Sequence, residues 1–222
     1  MPAFRYVVVD VFTDTALAGN QLAVFTDARE IEPDLMQALA LEIGYSETTF
    51  VLPPEQGGTV RVRIFTPASE MRFAGHPVLG TAWVLAQPLQ RSVIDLETGA
   101  GVVPVELDRD ESGALVFGRM TQPVATIEAQ PEPERLLAAL GVERAMLPVE
   151  RYDNGGVHAL VVLESPAAVA ALAPDFTALA GAVSMVSCFA GAGASWKTRM
   201  FAPRLGVNED PATGSARGWA GS

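Results

Sequence analysis

Thiol and imidazole are scarce in this chain: its 222 residues include one cysteine, Cys188, and two histidines, His76 and His158. A single thiol excludes an internal disulfide and fits a reducing compartment, so the cytoplasm is the expected location. Two histidines far apart leave the usual zinc spacings unfilled, and no metal is expected. Positive charge is also short. With 15 Lys and Arg against 26 Asp and Glu, the formal net charge is −11, which disfavours nucleic acid and anionic membrane as partners. No apolar run reaches membrane-spanning length and Asp10 interrupts the early apolar stretch, so neither a transmembrane helix nor a signal peptide is expected. Gly191 and Gly193 lack the lysine and hydroxyl of a P-loop and the full GxGxxG pattern. Cys188 has no histidine beside it and reads as a small core hydrophobe, not a nucleophile.

What the chain does have is a core. Hydrophobic residues make up 49% and charged residues 18%, the balance of a folded globular chain. It also has a duplicated motif. Arg63-Ile64-Phe65-Thr66-Pro67 leads through a short loop to Gly75-His76-Pro77-Val78-Leu79-Gly80-Thr81-Ala82. Arg199-Met200-Phe201-Ala202-Pro203 leads likewise to Glu209-Asp210-Pro211-Ala212-Thr213-Gly214-Ser215-Ala216. Aligned on proline and glycine, His76 falls on Asp210, Gly80 on Gly214 and Thr81 on Ser215. Each copy reads as a strand, a loop and the start of a helix, with Pro77 and Pro211 at first helical positions. His76 and Asp210 are then expected at helix N-termini, where free N–H groups and the positive dipole end suit a carboxylate or an oxyanion. A capped helix needs no function, but two copies with matched strands predict a duplicated fold whose halves face one cleft.

The remaining pattern fills in around these copies. Residues 5–12 predict a buried strand, Gly19-Asn20 a turn and 22–25 a second strand. Asn20 supplies turn geometry or presents its amide to a ligand. Pro33 opens a helix over 33–43 that Gly44 closes. On the strand over 45–52, Glu47 shares a face with Thr49 and Val51, so either a packed face carries an acid or, the reading the sequence favours, a solvated glutamate sits at a strand edge. Strands are predicted over 60–65, 93–96, 102–107 and 114–118, and a helix from Pro77 through 86. Residues 122–133, with three prolines, read as a linker between halves 1–122 and 123–222. Beyond it come a helix over 134–140, strands over 147–152, 158–163 and 183–189, and helical pieces over 167–172 and 176–179. Asn154-Gly155-Gly156 reads as a turn whose glycines let backbone approach a ligand or simply reverse the chain. His158 reads as a hydrogen-bonded core histidine.

Taken together, the opening ending in Gly19-Asn20, Ser46-Glu47-Thr48, Gly75-His76-Pro77 and the motif from Glu209 to Ala216 resemble the PhzF-like phenazine-biosynthesis isomerase family along the whole chain. The resemblance implies an α+β fold similar to diaminopimelate epimerase: two similar halves, each a curved, mostly antiparallel sheet around a central helix, with the active site between them. It further implies Glu47 as general acid/base, His76 and Asp210 as its polar partners, and substrate contacts from Asn20, Ser46, Gly75, Gly214 and Ser215. The implied reaction is cofactor-free proton transfer at carbon on a small cyclic or carboxylate-bearing substrate. With one cysteine, a two-thiol racemase mechanism is closed to this chain. That favours isomerase over amino-acid epimerase.

Two departures stand out. Gln21 stands where family members commonly have proline, and members usually continue beyond the position of Ser222. The second half is therefore expected to lack part of its sheet, and the exposed edges to drive self-association as a homodimer. The alternative reading is a shortened, non-catalytic member that binds a small acid or acts by dimerising.

Overall fold

The protein is represented by a computed structural model that describes residues 3–122 and 124–213. Its first sheet contains β1 (Val7–Val11), β2 (Asn20–Phe25), β3 (Glu47–Leu52), β4 (Val60–Phe65), β5 (Glu70–Met71), β6 (Val93–Thr98), β7 (Gly101–Arg109) and β8 (Leu115–Met120). The strand order is β1-β2-β3-β4-β6-β7-β8, with β5 paired to β4. The β2–β3 and β4–β6 pairs are parallel and the others antiparallel.

Helix α1 (Pro33–Ile43) lies outside this sheet, opened by Pro33 and closed by Gly44 at φ 70°. It packs Met36 and Ala40 against Phe25, Phe50 and Phe65. The sheet wraps around α2 (Gly75–Leu89), which touches β1, β2, β3, β6, β7 and β8. Val78, Ala82 and Leu85 of α2 share a core with Leu22, Ile64, Leu96 and Val105. Burying each of these valine, leucine and isoleucine side chains contributes about 1.5–3 kcal/mol. Helix and sheet come this close because Gly80 has no side chain: a Cβ there would meet Leu22 Cδ2 at 2.7 Å and Val11 Cγ2 at 2.8 Å.

The second sheet contains β9 (Thr126–Ala129), β10 (Glu150–Asp153), β11 (Val157–Val162), β12 (Met185–Ala192), β13 (Ser195–Ala202) and β14 (Val207–Asp210), in the order β14-β13-β12-β11-β10-β9. Within this second sheet, among its described strands, only β11 and β12 pair in parallel. Helices α3 (Pro133–Leu140), α4 (Pro166–Ala170) and α5 (Phe176–Ala182) cover one face. Leu136, Val169 and Leu179 pack there on Val161, Val186, Cys188 and Phe201. Burial pushes the Cys188 thiol up to about 12, the behaviour of an inert core residue. On the opposite face Met185, Met200 and Ala202 cluster with Met71 from the first sheet. The class is α+β with two mostly antiparallel sheets.

Four sequence expectations change. Strand β1 is not buried: it is the sheet's edge, and Val7 and Val8 are 43% and 46% exposed. Helix α2 starts at Gly75 with Ala74 as its cap, so His76 lies in the first turn and does not cap it. The presumed linker over 122–133 contains β9, because β10 offers a pairing edge that four local residues cannot announce. Asp210 ends a strand instead of capping a helix, and Pro211, Ala212 and Thr213 are not helical. The rest of the expected second central helix, with Gly214 and Ser215, lies outside the described residues.

Candidate active site

The site begins with the alternation of β3. Thr49 faces α2, where its hydroxyl lies 2.9 Å from the Thr81 hydroxyl, and Val51 joins the core under α2. Glu47, two residues before Thr49, therefore points to the same side. Strand β3 is paired on both edges, with β2 and β4, so the carboxyl has no open strand edge to escape through. Glu47 is 8% exposed, against the solvated position that its sequence context favoured.

His76, in the first turn of α2, brings Nδ1 to 3.5 Å from Glu47 Oε2. The second half adds Asp210 from the end of β14. Asn20 joins the three. Its Nδ2 donates to Asp210 Oδ1 at 2.7 Å and to the Ala212 carbonyl at 3.0 Å, and lies 3.4 Å from His76 Nδ1. The other Asp210 oxygen accepts from the Thr213 hydroxyl. Asn20 is thus more than a turn residue: its buried amide ties the start of β2 to the end of β14.

Burial, reinforced by the Asp210 charge, raises the Glu47 carboxyl well above its ordinary value of 4.5. Burial also lowers His76 to about 4, against the opposing pull of Asp210 and the Gln21 main chain. The imidazole is therefore neutral at physiological pH, and Glu47 is a weaker acid, its carboxylate a stronger base, than an exposed glutamate. Glu47 Oε2 and His76 Nε2 have no hydrogen-bond partner among the described residues. Both are open to a ligand.

These groups line a small, closed cavity: the space open to the centre of a water-sized sphere is ≈ 10 Å³, room for about one water. Phe73 and Met71 line it from the first half, and Asn154, His158, Met185 and Met200 from the second. Gly75 also lines it, whereas Ser46 is half-buried just before β3 and does not.

His158 and Asn154 are the residues that sequence reasoning missed as cavity walls. His158 is 3% exposed and is held down to about 4 by burial, opposed by Asp210. The one available signal was the turn before β11. A Cβ on Gly155 would meet Phe73 Cβ at 2.7 Å, so this turn reaches across to the first half.

A roomier groove beside Arg61 and Arg63 offers less chemistry, since Arg61 pairs with Glu55 and Arg63 with Glu70. Glu97 in that groove is engaged by the N–H groups of Glu55, Gln56 and Gly58. Among the described residues no three His, Cys, Asp or Glu side chains form a metal-binding group. No described helix is long and apolar enough to cross a membrane.

Comparison with known proteins adds the family context. A sequence profile for phenazine biosynthesis-like proteins, PhzC-PhzF, matches residues 9–221. The Pseudomonas aeruginosa protein named trans-2,3-dihydro-3-hydroxyanthranilate isomerase is 49% identical over 215 residues, covering 96% of this chain and 77% of the relative. Among solved structures, a Bacillus anthracis phenazine biosynthesis protein of the PhzF family superposes with a TM-score of 0.80 at 25% identity, over 100% of this chain and 79% of that one. A hydroxyproline epimerase from Agrobacterium vitis shares the fold at 12% identity, with a TM-score of 0.62 over 88% of this chain and 70% of that one.

Proposed function

The chain belongs to the phenazine biosynthesis-like family and is an isomerase, and on that premise we propose that it moves a proton between carbons of a small, cyclic, carboxylate-bearing substrate without a cofactor. Glu47 is the shuttle in this reading. Its carboxylate takes a proton from carbon, the C–H electron pair moves into the adjoining π system, and the resulting Glu47 carboxylic acid returns the proton to a second carbon. One double bond shifts, and no oxidant or reductant is consumed.

The observation that carries the proposal is the buried Glu47 Oε2, without a hydrogen-bond partner among the described residues, beside a neutral His76. A raised pKa makes the carboxylate a stronger base, and its acid form still releases the proton when the substrate carries negative charge. Neutral His76 donates a hydrogen bond to that charge. Asp210, held by Asn20 and Thr213, fixes the opposite wall. The relative's named substrate, a dihydro-hydroxyanthranilate, is a cyclic amino and hydroxy acid, and a substrate of that class suits this site.

The reading includes division of the chain into halves 1–122 and 123–222, a cytoplasmic location and a homodimer. Exposed Val7, Val8, Val116 and Phe117 on edge strands support self-association, and light scattering that finds a stable monomer removes that part. The catalytic part is tested by turnover in deuterated water, which should place deuterium on the carbon receiving the proton to an extent set by how fast the Glu47 proton exchanges with solvent. Glu47→Gln should abolish nearly all of this incorporation while leaving the chain folded by circular dichroism. Unchanged incorporation in Glu47→Gln refutes the shuttle.

A further inference from the structure

Three buried polar atoms without a partner among the described residues line the cavity: Glu47 Oε2, His76 Nε2 and Asn154 Oδ1. The first two belong to the proton-transfer reading above. The third is unaccounted for. Asn154 lies in the turn between β10 and β11 and is 4% exposed. Its Nδ2 donates to Gln122 Oε1 at 3.3 Å, which turns the amide so that Oδ1 is its unused end.

The turn itself has little freedom. Gly155 adopts φ 109°, its N–H donates to Asp153 Oδ1 at 2.9 Å, and its Cα sits where a Cβ would strike Phe73. A Cβ on Gly156 would lie 3.0 Å from Met185 Cε. The second half therefore delivers the Asn154 amide to the cavity on a fixed support. A buried carbonyl without a donor carries an unrecovered desolvation cost, and a ligand donor recovers it.

We infer that Asn154 is a specificity residue: its Oδ1 accepts a hydrogen bond from an amino or hydroxyl substituent that the substrate carries beside its carboxylate. The inference rests on the isomerase reading and assigns to one residue the recognition of the N–H or O–H donor that such a substrate carries. An amide oxygen is an acceptor only, so acids lacking a donor leave it unpaired and are selected against. Asn154 does not move the proton. Its contribution belongs to binding and discrimination.

Calorimetric titration tests this with two acids, 3-hydroxyanthranilate, which carries both donors, and benzoate, which carries neither. The wild-type chain should prefer the first. Asn154→Leu should lower affinity for 3-hydroxyanthranilate about 10- to 100-fold and change that for benzoate by less than about threefold. Gln122→Leu, which frees the amide without touching the turn, should give a smaller loss in the same direction and decides the matter if Asn154→Leu does not fold. Equal weakening of both acids in these variants, or an unchanged preference, overturns the inference. Where Glu47-dependent deuterium incorporation persists beside that result, the isomerase reading stands and Asn154 selectivity alone falls. A wild-type chain that binds neither acid overturns both.

Discussion

Strands β3, β4 and β5 in the first half and β12, β13 and β14 in the second are built to one plan. Leu22 pairs with Glu47 at the start of β3, as His158 pairs with Met185 at the start of β12. Thr48 faces Phe65 across the next ladder, as Val186 faces Phe201. Arg63 grips Glu70 through two bonds of 2.7 Å, and Arg199 grips Glu209 at 2.7 and 2.8 Å. Each guanidinium lies over the phenylalanine two residues on, at 5.0 Å and 4.9 Å. The scaffold has been kept twice.

At the cavity the halves part. Met185 occupies the position of Glu47, and Met71, paired with Ile64, corresponds to Asp210, paired with Met200. Each half supplies an acid where the other supplies methionine. A site with two symmetric bases would repeat one acid at one position, so this exchange supports a single shuttle facing a fixed polar partner. It also revises the motif alignment: proline matching sets His76 against Asp210, whereas strand register sets Met71 there. Pro211 follows Asp210 directly, whereas residues 72–76 separate Met71 from Pro77, so His76 belongs to a segment that is extra in the first copy and stands in the first turn of α2.

The largest effect that would break this comparison is catalytic. Glu47→Gln should lower turnover about 10²–10⁴-fold, the contribution of a positioned acid/base. Met185→Leu at the matching position should cost less than about tenfold, as a volume-conserving change. Equal losses in a steady-state assay would make the two halves catalytically alike.

Acid sensitivity comes next, with one histidine in each half. His76 and His158, held at about 4 when folded, take up protons at about 6.5 when unfolded, so stability falls as pH drops from 6.5 through 4. Between pH 7 and 5 each should cost on the order of 2 kcal/mol. Glu47 opposes them: its raised folded value makes stability fall as pH rises from 4.5 upward. Two groups outweigh one, so urea midpoints should decrease towards pH 5. His158→Gln should flatten that decrease, and Glu47→Gln should steepen it.

The smallest effect separates the two arginine clamps. Arg199 also donates to the Leu172 carbonyl at 2.6 Å, beyond the end of α4, whereas the further contact of Arg63 is Met36 Sδ at 3.8 Å. Arg199→Ala should therefore lower stability by about 2 kcal/mol and Arg63→Ala by about 1 kcal/mol. Urea denaturation with equal costs would show that the bond to Leu172 adds nothing.

The sequence by itself determined the segments whose burial is one-sided and local. Apolar residues at helical spacing between Pro33 and Gly44 specify α1, and the alternation of Val60, Val62 and Ile64 specifies β4. The matched strands ending in Pro67 and Pro203 announced the duplication, and isolated Cys188 declared itself a core residue. Strands β5, β9 and β14, of two to four residues, are too short to show a period, and exist because a neighbouring strand offers its edge. Only the tertiary structure decided that Glu47 is buried, that Asn20 reaches Asp210, and that Asn154 and His158 face the same cavity. Local periodicity records which side of a segment avoids water. It carries no information about which distant segment covers that side, and the separation from residue 20 to residue 210 is closed only when both sheets pack.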